Sequence, residues 1–567
     1  MIIEDLGEYV LNTNSTVEHQ TSSVVFYFFD KRRGSANHSA DAIRAMLAQL
    51  VHLHRHNEQA IDIASVILAK NITGQFTATD NEILAVLGLL LDQLGPTYLV
   101  FEGLAECSDH AELFKSTAGV ASRSNCCAIL LLGRPTVHLP ANMQKESFSI
   151  HLTHLRNTED MKRFLRPEIQ ELVDTNFLPH GSSVDKLIEL ITLRAKGMFL
   201  WVRLLVEYLR LPSLTLRDRL DAIKNLNRLE GLNSLYDAVL EGLETQFSGQ
   251  SRINILRVFQ WIAHSQRPLK VDELCHAVSV PTDRAQTKED LIPRFEKYLG
   301  SLSGSLIELS NDNTVQFIHL STQEYFTGTR ESPEPRAGLK ILTYHNSADR
   351  CIAISCLSYL NYTVPAEPLG GSTHIMPNLA YIRHKYPLLK YSVEYWTKHL
   401  VCSLTKDDFK ELYVTEGRSW PQLAKLVHLF LSEKRKVSMW IEASWLEKRP
   451  PSVSKPPEVA SLSPNLVKAV GDSFHQLGKA ITDLKQLRIE LKTLNKSWSH
   501  VLRSEPNEIW EPSVLAFTES HFWLNTTDAR VIRLAPLKSN SRKCITLQSQ
   551  VSVSGIEIGL IRLIPSA

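Results

Sequence analysis

Three unbroken apolar runs punctuate the first 155 residues: Ser23 to Phe29, Leu99 to Phe101 and Ala128 to Leu132. A strand with one wet face alternates apolar and polar side chains. A run with no polar alternation must be covered on both faces. Between the runs, apolar residues recur at helical spacing. Residues 40–54 carry Ile43, Met46, Leu47, Leu50 and Val51, and further helices are predicted over 58–70, 80–94 and about 110–117. Phe148 to Leu152 reads as one more short strand, and residues 1–10 as the tail of an amphipathic helix. Strands alternating with helices predict a parallel α/β sheet with helices on both faces.

The central run ends in carboxylates. Tyr98-Leu99-Val100-Phe101 leads directly into Glu102-Gly103-Leu104-Ala105-Glu106-Cys107, after a break at Gly95-Pro96. A buried strand that delivers an acid to its carboxyl edge is how many nucleotide-binding α/β folds hold Mg²⁺. A core strand running out into a polar loop has the same appearance, so both readings stand.

After about residue 157 the strands stop. Helices are predicted over 157–166, 183–195, 198–210, 215–226, 234–247 and 251–265. Residues 270–278 and 284–299 read as helices. Ser305 to Leu309 and Val315 to His319 read as a hairpin around Asn311-Asp312-Asn313, which together suggest a winged helix. It lacks a basic recognition helix, so a packing role is expected rather than DNA binding. Residues 331–450 are helical, with Trp396 and Trp420 as core, and RPPSVSKPPE at 449–458 reads as a linker. Asn465 to Trp498 reads as one long amphipathic helix, either a coiled-coil seam or a helix packed on its predecessors. The last 50 residues alternate like short strands.

Lys and Arg number 62 against 61 Asp and Glu, so net charge argues for neither nucleic acid nor an anionic membrane. The eight cysteines form no C-x-x-C pair, against zinc ribbons and thioredoxin chemistry. The polar N-terminus is not a signal peptide, and the longest apolar run, Ile83 to Leu91, is far short of a membrane span. A cytoplasmic protein is expected. G-x-S-x-G, H-E-x-x-H and G-x-G-x-x-G are absent, and His151 with His154 lacks a Cys partner for a metal.

Six segments in order, VVFYFFDKRRGS, TYLVFEGLAEC, AILLLGRP, AKGMFLWVRLLVEYL, VFQWIAHSQRPLKVDELCHAV and VQFIHLSTQEYF, resemble the fungal NACHT proteins. These are NLR-like signal-transduction P-loop ATPases, and the resemblance is to the type with a nephrocystin-3-like N-terminal NACHT domain. It implies an α/β core followed by mostly α structure. The expected order is an incomplete parallel-sheet domain at 1–155 and a helical domain at 156–266. A winged-helix-like domain follows at 267–332 and helices at 333–448. A linker at 449–460, an amphipathic helical region at 461–525 and a short β segment at 526–567 complete it.

Intact members bind ATP or ADP with Mg²⁺ through G-x-x-x-x-G-K-[ST]. That motif is absent here, and MIIEDLGEYV resembles the end of the helix that follows it, so the chain is expected to begin past the phosphate cradle. The acidic strand departs too: Glu102 stands where the family usually has Asp, and Ala105 replaces a second Asp, while Glu106 matches. The resemblance assigns a vestigial nucleotide site to Glu102 (also the Mg²⁺ ligand), Glu106, Arg134, Gly197 and His319. Arg134 is a sensor arginine or a surface residue before a turn. Gly197 lines the adenine side or starts a packed helix. His319 senses the diphosphate or is a satisfied core histidine. No hydrolysis, no retained cofactor and no catalytic residue are expected. The expected partners are proteins, full-length NACHT relatives among them, with oligomerisation possible. The alternatives are a working switch whose cradle lies upstream of Met1, and a helical adaptor assembling through 465–498.

Overall fold

The computed structural model describes residues 22–29, 37–70, 78–121, 127–133, 137–140, 143, 147–148, 154–181, 183–246, 249–310, 312–327, 345–405, 419–462, 464–511 and 514. The expectations for residues 1–10, the strand body at 149–152, Arg134 and the terminal β segment lie outside these residues. The chain divides into two compact units, Met1–Thr153 with Gln266–Pro268, and His154–Ser265 with Leu269–Ala567.

The first unit is built on three parallel strands in sequence order, β1 (Ser23–Phe28), β2 (Thr97–Glu102) and β3 (Cys127–Leu132). Ser23 pairs with Thr97 and Thr97 with Cys127, and the register runs unbroken to Phe28, Glu102 and Leu132. Leu99, Val100 and Phe101 of the central strand are fully buried, as a solid apolar run requires. β1 and β3 depart from that expectation: β1 buries only Ser23 and Val25 and leaves Phe28 partly exposed, and no residue of β3 is fully buried. Helices α1 (Ser39–Leu53), α2 (Glu58–Lys70) and α3 (Asp80–Gln93) connect β1 to β2, and α4 (His110–Ala121) connects β2 to β3. A capping box starts α3: Thr79 N–H donates to the Glu82 carboxylate and Glu82 N–H to the Thr79 hydroxyl. The outer edge of β1 is blunted by one side chain. Gln49 of α1 donates to Phe26 O (2.8 Å) and accepts from Phe26 N–H (3.1 Å), standing in for a neighbouring strand.

The second unit is mostly helical. Helices α5 (His154–Asp174), α6 (Val184–Ala195), α7 (Phe199–Leu209), α8 (Leu216–Lys224), α9 (Gly231–Gln246) and α10 (Gly249–His264) come first. The α5 helix runs well past the expected end at 166, through Pro167. A mid-helix proline costs about 3 kcal/mol, and the buried stripe of Met161, Leu165, Ile169 and Leu172 offsets it.

A winged-helix arrangement follows: β4 (Leu269–Lys270), α11 (Val271–Val278), α12 (Phe295–Leu302), β5 (Ile307–Leu309), β6 (Thr314–Phe317) and α13 (Leu320–Thr327). Its antiparallel sheet has the order β4-β6-β5, with Ile307 opposite Phe317. The helix expected over 284–299 is instead a bend held by Arg284 on Asp290, a single turn at Lys288–Asp290, then α12. Pro293 and the left-handed Arg294 (φ 51°) separate the two.

The remaining helices are α14 (His345–Ser358), which continues as a π turn over Tyr359–Thr363, α15 (Leu379–Lys385), α16 (Leu389–Thr405), α17 (Ser419–Ser432), α18 (Lys434–Leu446), α19 (Pro464–Val470) and α20 (Phe474–Leu502). Trp396 and Trp420 are core, as expected, joined by Trp440 and Trp445. Two sequence expectations fail here. The Pro/Ser-rich segment is an ordered strap rather than a loose linker: Pro451 and Val453 are buried, Ser454 N–H donates to Thr397 Oγ1, and Pro451 O accepts from Asn495. The long helix is broken at Gly471 (φ 57°) into α19 and α20. The stripe of α20, including Leu477, Ile481, Leu484 and Leu491, is buried within the chain, packed against α17. The seam that a coiled coil would need is therefore already covered.

Candidate functional site

The carboxyl edge of the parallel sheet gathers the polar chemistry of the first unit. Glu102 closes β2 with an exposed side chain, while its carbonyl accepts from Phe29 N–H at 2.9 Å. Gly103 then reverses the chain with φ 76°. A Cβ there would lie 2.5 Å from Phe29 O, so this turn requires glycine. A single 3-10 turn, Leu104–Glu106, carries the chain to a buried Cys107. Burial pushes the Cys107 thiol up to about 12, which removes it as a nucleophile near neutral pH.

Asp109 is the centre of this edge. Its carboxylate accepts from Ser39 N–H and from the Ser39 hydroxyl, each at 2.7 Å, and His38 Nδ1 lies 3.9 Å away. Burial works against the charged form. The two Ser39 hydrogen bonds overcome it and hold Asp109 below the usual carboxylate range. Ser39 opens α1, so Asp109 sits where an anion is favoured by free amides and the helix dipole. Sequence reading missed this pair. Ser108-Asp109 before a helix is an N-cap signal for α4, and nothing local indicates that the side chain turns to α1 instead.

The residues implied by resemblance divide between the units. Glu102 and Glu106 stand at the strand end and on the turn that follows it. Gly197 lies between α6 and α7 with φ 84°, following Lys196 at φ 49°, and its carbonyl accepts from Asn157 Nδ2. It is the left-handed residue of a helix–helix turn. His319 precedes α13, where its Nδ1 accepts from Ser321 N–H at 3.0 Å. Ser321 Oγ also lies 2.9 Å from the buried Tyr236 hydroxyl. The histidine therefore serves as a local cap tied into a buried polar network.

Mg²⁺ bound with a nucleotide usually rests on one or two carboxylates plus phosphate oxygens, and the phosphates rest on free amides. Beside Glu102 the described residues offer the Glu106 carboxylate, and the N-terminus of α1, which is not the helix expected after the phosphate cradle, holds Asp109. Among the described residues no group of three or more His, Cys, Asp or Glu side chains could hold a metal ion. No described helix is long and apolar enough to cross a membrane.

Two family models match the chain: the N-terminal domain of nephrocystin 3 over residues 2–134, and the winged-helix domain of GPI inositol-deacylase over residues 243–334. The chain is also similar to the vegetative incompatibility protein HET-E-1 of Podospora anserina, 26% identical over 238 residues. That match covers 41% of this chain and only 17% of the relative's length. Together these similarities support a NACHT-like relationship at low identity, with a winged-helix segment further along the chain.

Proposed function

We propose that the chain is a NACHT-like regulator that works in the cytoplasm through protein–protein contacts, with a sheet-edge site that does not hydrolyse nucleotide and holds it weakly or not at all. The observation that carries this reading is the acidic strand end itself, where Glu102 and Glu106 flank Ala105. Ala105 offers no oxygen to a metal, which leaves Glu102 and Glu106 as the acids of this strand end. The partners in this reading are full-length NACHT relatives or other proteins. By analogy with the named relative, the biological setting is vegetative incompatibility, a form of non-self recognition.

Calorimetric titration of the chain with ATP and ADP in the presence of Mg²⁺ tests the site. No heat of binding is expected at micromolar nucleotide. Micromolar binding that disappears in Glu102→Ala would overturn the reading in favour of a working nucleotide switch. Co-purification with a full-length NACHT relative, unchanged by either nucleotide, is the positive outcome.

A further inference from the structure

The second unit contains a buried carboxyl group that joins three separate pieces of chain. Glu442 lies in the middle of α18 and is completely buried. Its Oε2 accepts from Leu369 N–H at 3.0 Å and from Trp510 Nε1–H at 2.8 Å. Leu369 belongs to the loop between the π turn and α15, and Trp510 to the 3-10 turn Pro506–Trp510 after α20. The other oxygen, Oε1, is buried with no hydrogen-bond partner among the described residues.

The same three pieces are stitched together nearby. Asn507 Nδ2 donates to Thr373 O at 2.7 Å, and Arg435 Nε donates to Ala366 O at 2.9 Å. The Arg435 guanidinium lies 5.8 Å from the Trp510 ring centre. The loop is tightly folded, since a Cβ at Gly370 would come within 2.2 Å of Ile375 O. It also presents Ile375 and Met376 to solvent, each about half exposed.

A carboxylate in this position keeps a full charge out of water with donors on one oxygen alone, a costly arrangement. The neutral acid still accepts both bonds at Oε2, and burying its Oε1 hydroxyl costs less than burying the charge. We propose that Glu442 is a protonation-dependent latch: the neutral acid holds the 364–378 loop and the Pro506–Trp510 turn on α18, and ionisation loosens both.

The surrounding charges are directed elsewhere. On α18, Lys436 pairs with Glu433, and Lys434 feels Glu490 of α20. On α16, Lys390 approaches Glu447, Glu394 meets Arg449, and His399 bonds Asp349. On α17 and α20, His428 and Lys479 act on Asp483. On the loop and after the turn, His374 and Glu511 face one another at the surface. Burial alone pushes Glu442 up, to about 7, against the two donors that favour its charged form.

The sign follows from linkage. The folded acid holds its proton up to about pH 7 and the released one only to the ordinary glutamate value. Closure is therefore strongest at low pH and weakens as pH rises towards 7. Hydrogen exchange of the loop and turn, corrected for intrinsic rates and referred to the winged-helix segment, reads the opening. In the wild type, opening grows on the order of tenfold per pH unit between about pH 5 and about pH 7, then levels off. Glu442→Gln keeps both accepted bonds and cannot ionise, so its profile should be flat. Trp510→Phe removes a donor that favours the anion and should carry the rise to higher pH. A wild-type profile that is flat, or a Glu442→Gln profile that matches the wild-type rise, would overturn the latch. If Glu442→Gln does not fold, the direction of the Trp510→Phe displacement decides alone: an unmoved or downward rise sinks the proposal.

Discussion

Asp109 binds Ser39 twice, through the main-chain amide and the hydroxyl, each at 2.7 Å, and so ties the loop after β2 to the first residue of α1. One carboxylate thereby fixes the turn that follows the acidic strand end and neutralises a helix terminus. Replacing it with alanine removes both effects. Asp109→Ala should lower the stability of α1 by about 1–2 kcal/mol, in the range of lost N-caps. Ser39→Ala, which keeps the amide bond, should cost less. Hydrogen exchange of residues 39–53 reads both. Asp109 is held below the ordinary carboxylate range. Its contribution is thus present above the unfolded-state value and lost as pH falls through the folded one. The acid-induced loosening of α1 should be diminished in Asp109→Ala.

Gly103 stands beside Glu102 in the left-handed region, with no room for a side chain against Phe29 O. Gly103→Ala should destabilise the first unit by roughly 1–3 kcal/mol, measured as a lower denaturation midpoint with the second unit unchanged. A methyl group added at Gly88, within α3, would meet only open space, so Gly88→Ala serves as a control expected to be neutral or stabilising.

A buried relay crosses the helical core of the second unit. Tyr391 OH lies 2.8 Å from His399 Nε2, and His399 Nδ1 lies 2.6 Å from Asp349 Oδ1, with all three side chains buried. Removing one member of a buried pair strands the other. Asp349→Ala should therefore cost about 3–5 kcal/mol, while Tyr391→Phe should cost nearer ~1 kcal/mol. Urea denaturation followed by tryptophan fluorescence distinguishes the two, since the buried tryptophans Trp396, Trp420, Trp440 and Trp445 belong to this core. Equal costs for the two variants would show that the Asp349 contact contributes no more than the tyrosine hydrogen bond.

Arg219 is a buried cation held by main-chain carbonyls. It donates from Nε to Leu209 O (2.6 Å), from Nη2 to Leu211 O (2.7 Å) and from Nη1 to Leu214 O, and its guanidinium lies over the Phe177 ring at 4.5 Å. These carbonyls end α7 and line the loop before α8. A lysine cannot span three divergent acceptors. Arg219→Lys should lose about 1–3 kcal/mol, and the loss should appear as faster exchange at residues 209–215.

Much of the architecture is legible because burial leaves a period in the sequence. The solid runs at 23–29 and 98–101 are strands and pair in parallel as expected, though of the two only Leu99 to Phe101 is buried on both faces. The hairpin around Asn313 follows from turn chemistry. The misreadings have a common origin. Local propensity places a helix end before Pro167 and a linker at 449–458, and in both places buried neighbours outweigh it. Period alone makes 465–498 one helix with an open stripe, and it does not register the single left-handed Gly471 or reveal that α17 covers the stripe.

The site divides in the same way. Residue type and order along the chain place Glu102 and Glu106 at a strand end, and spacing puts Gly197 and His319 at helix boundaries. Those are one-dimensional facts, set by hydrophobic period and backbone propensity. That Asp109 turns from its own helix to cap α1, 70 residues earlier, and that Glu442 meets Leu369 and Trp510 at one buried point, depends on which segments the packed core brings within about 3 Å. Hydrogen bonds act only at that range and leave no period in the chain, so only the tertiary structure decides them.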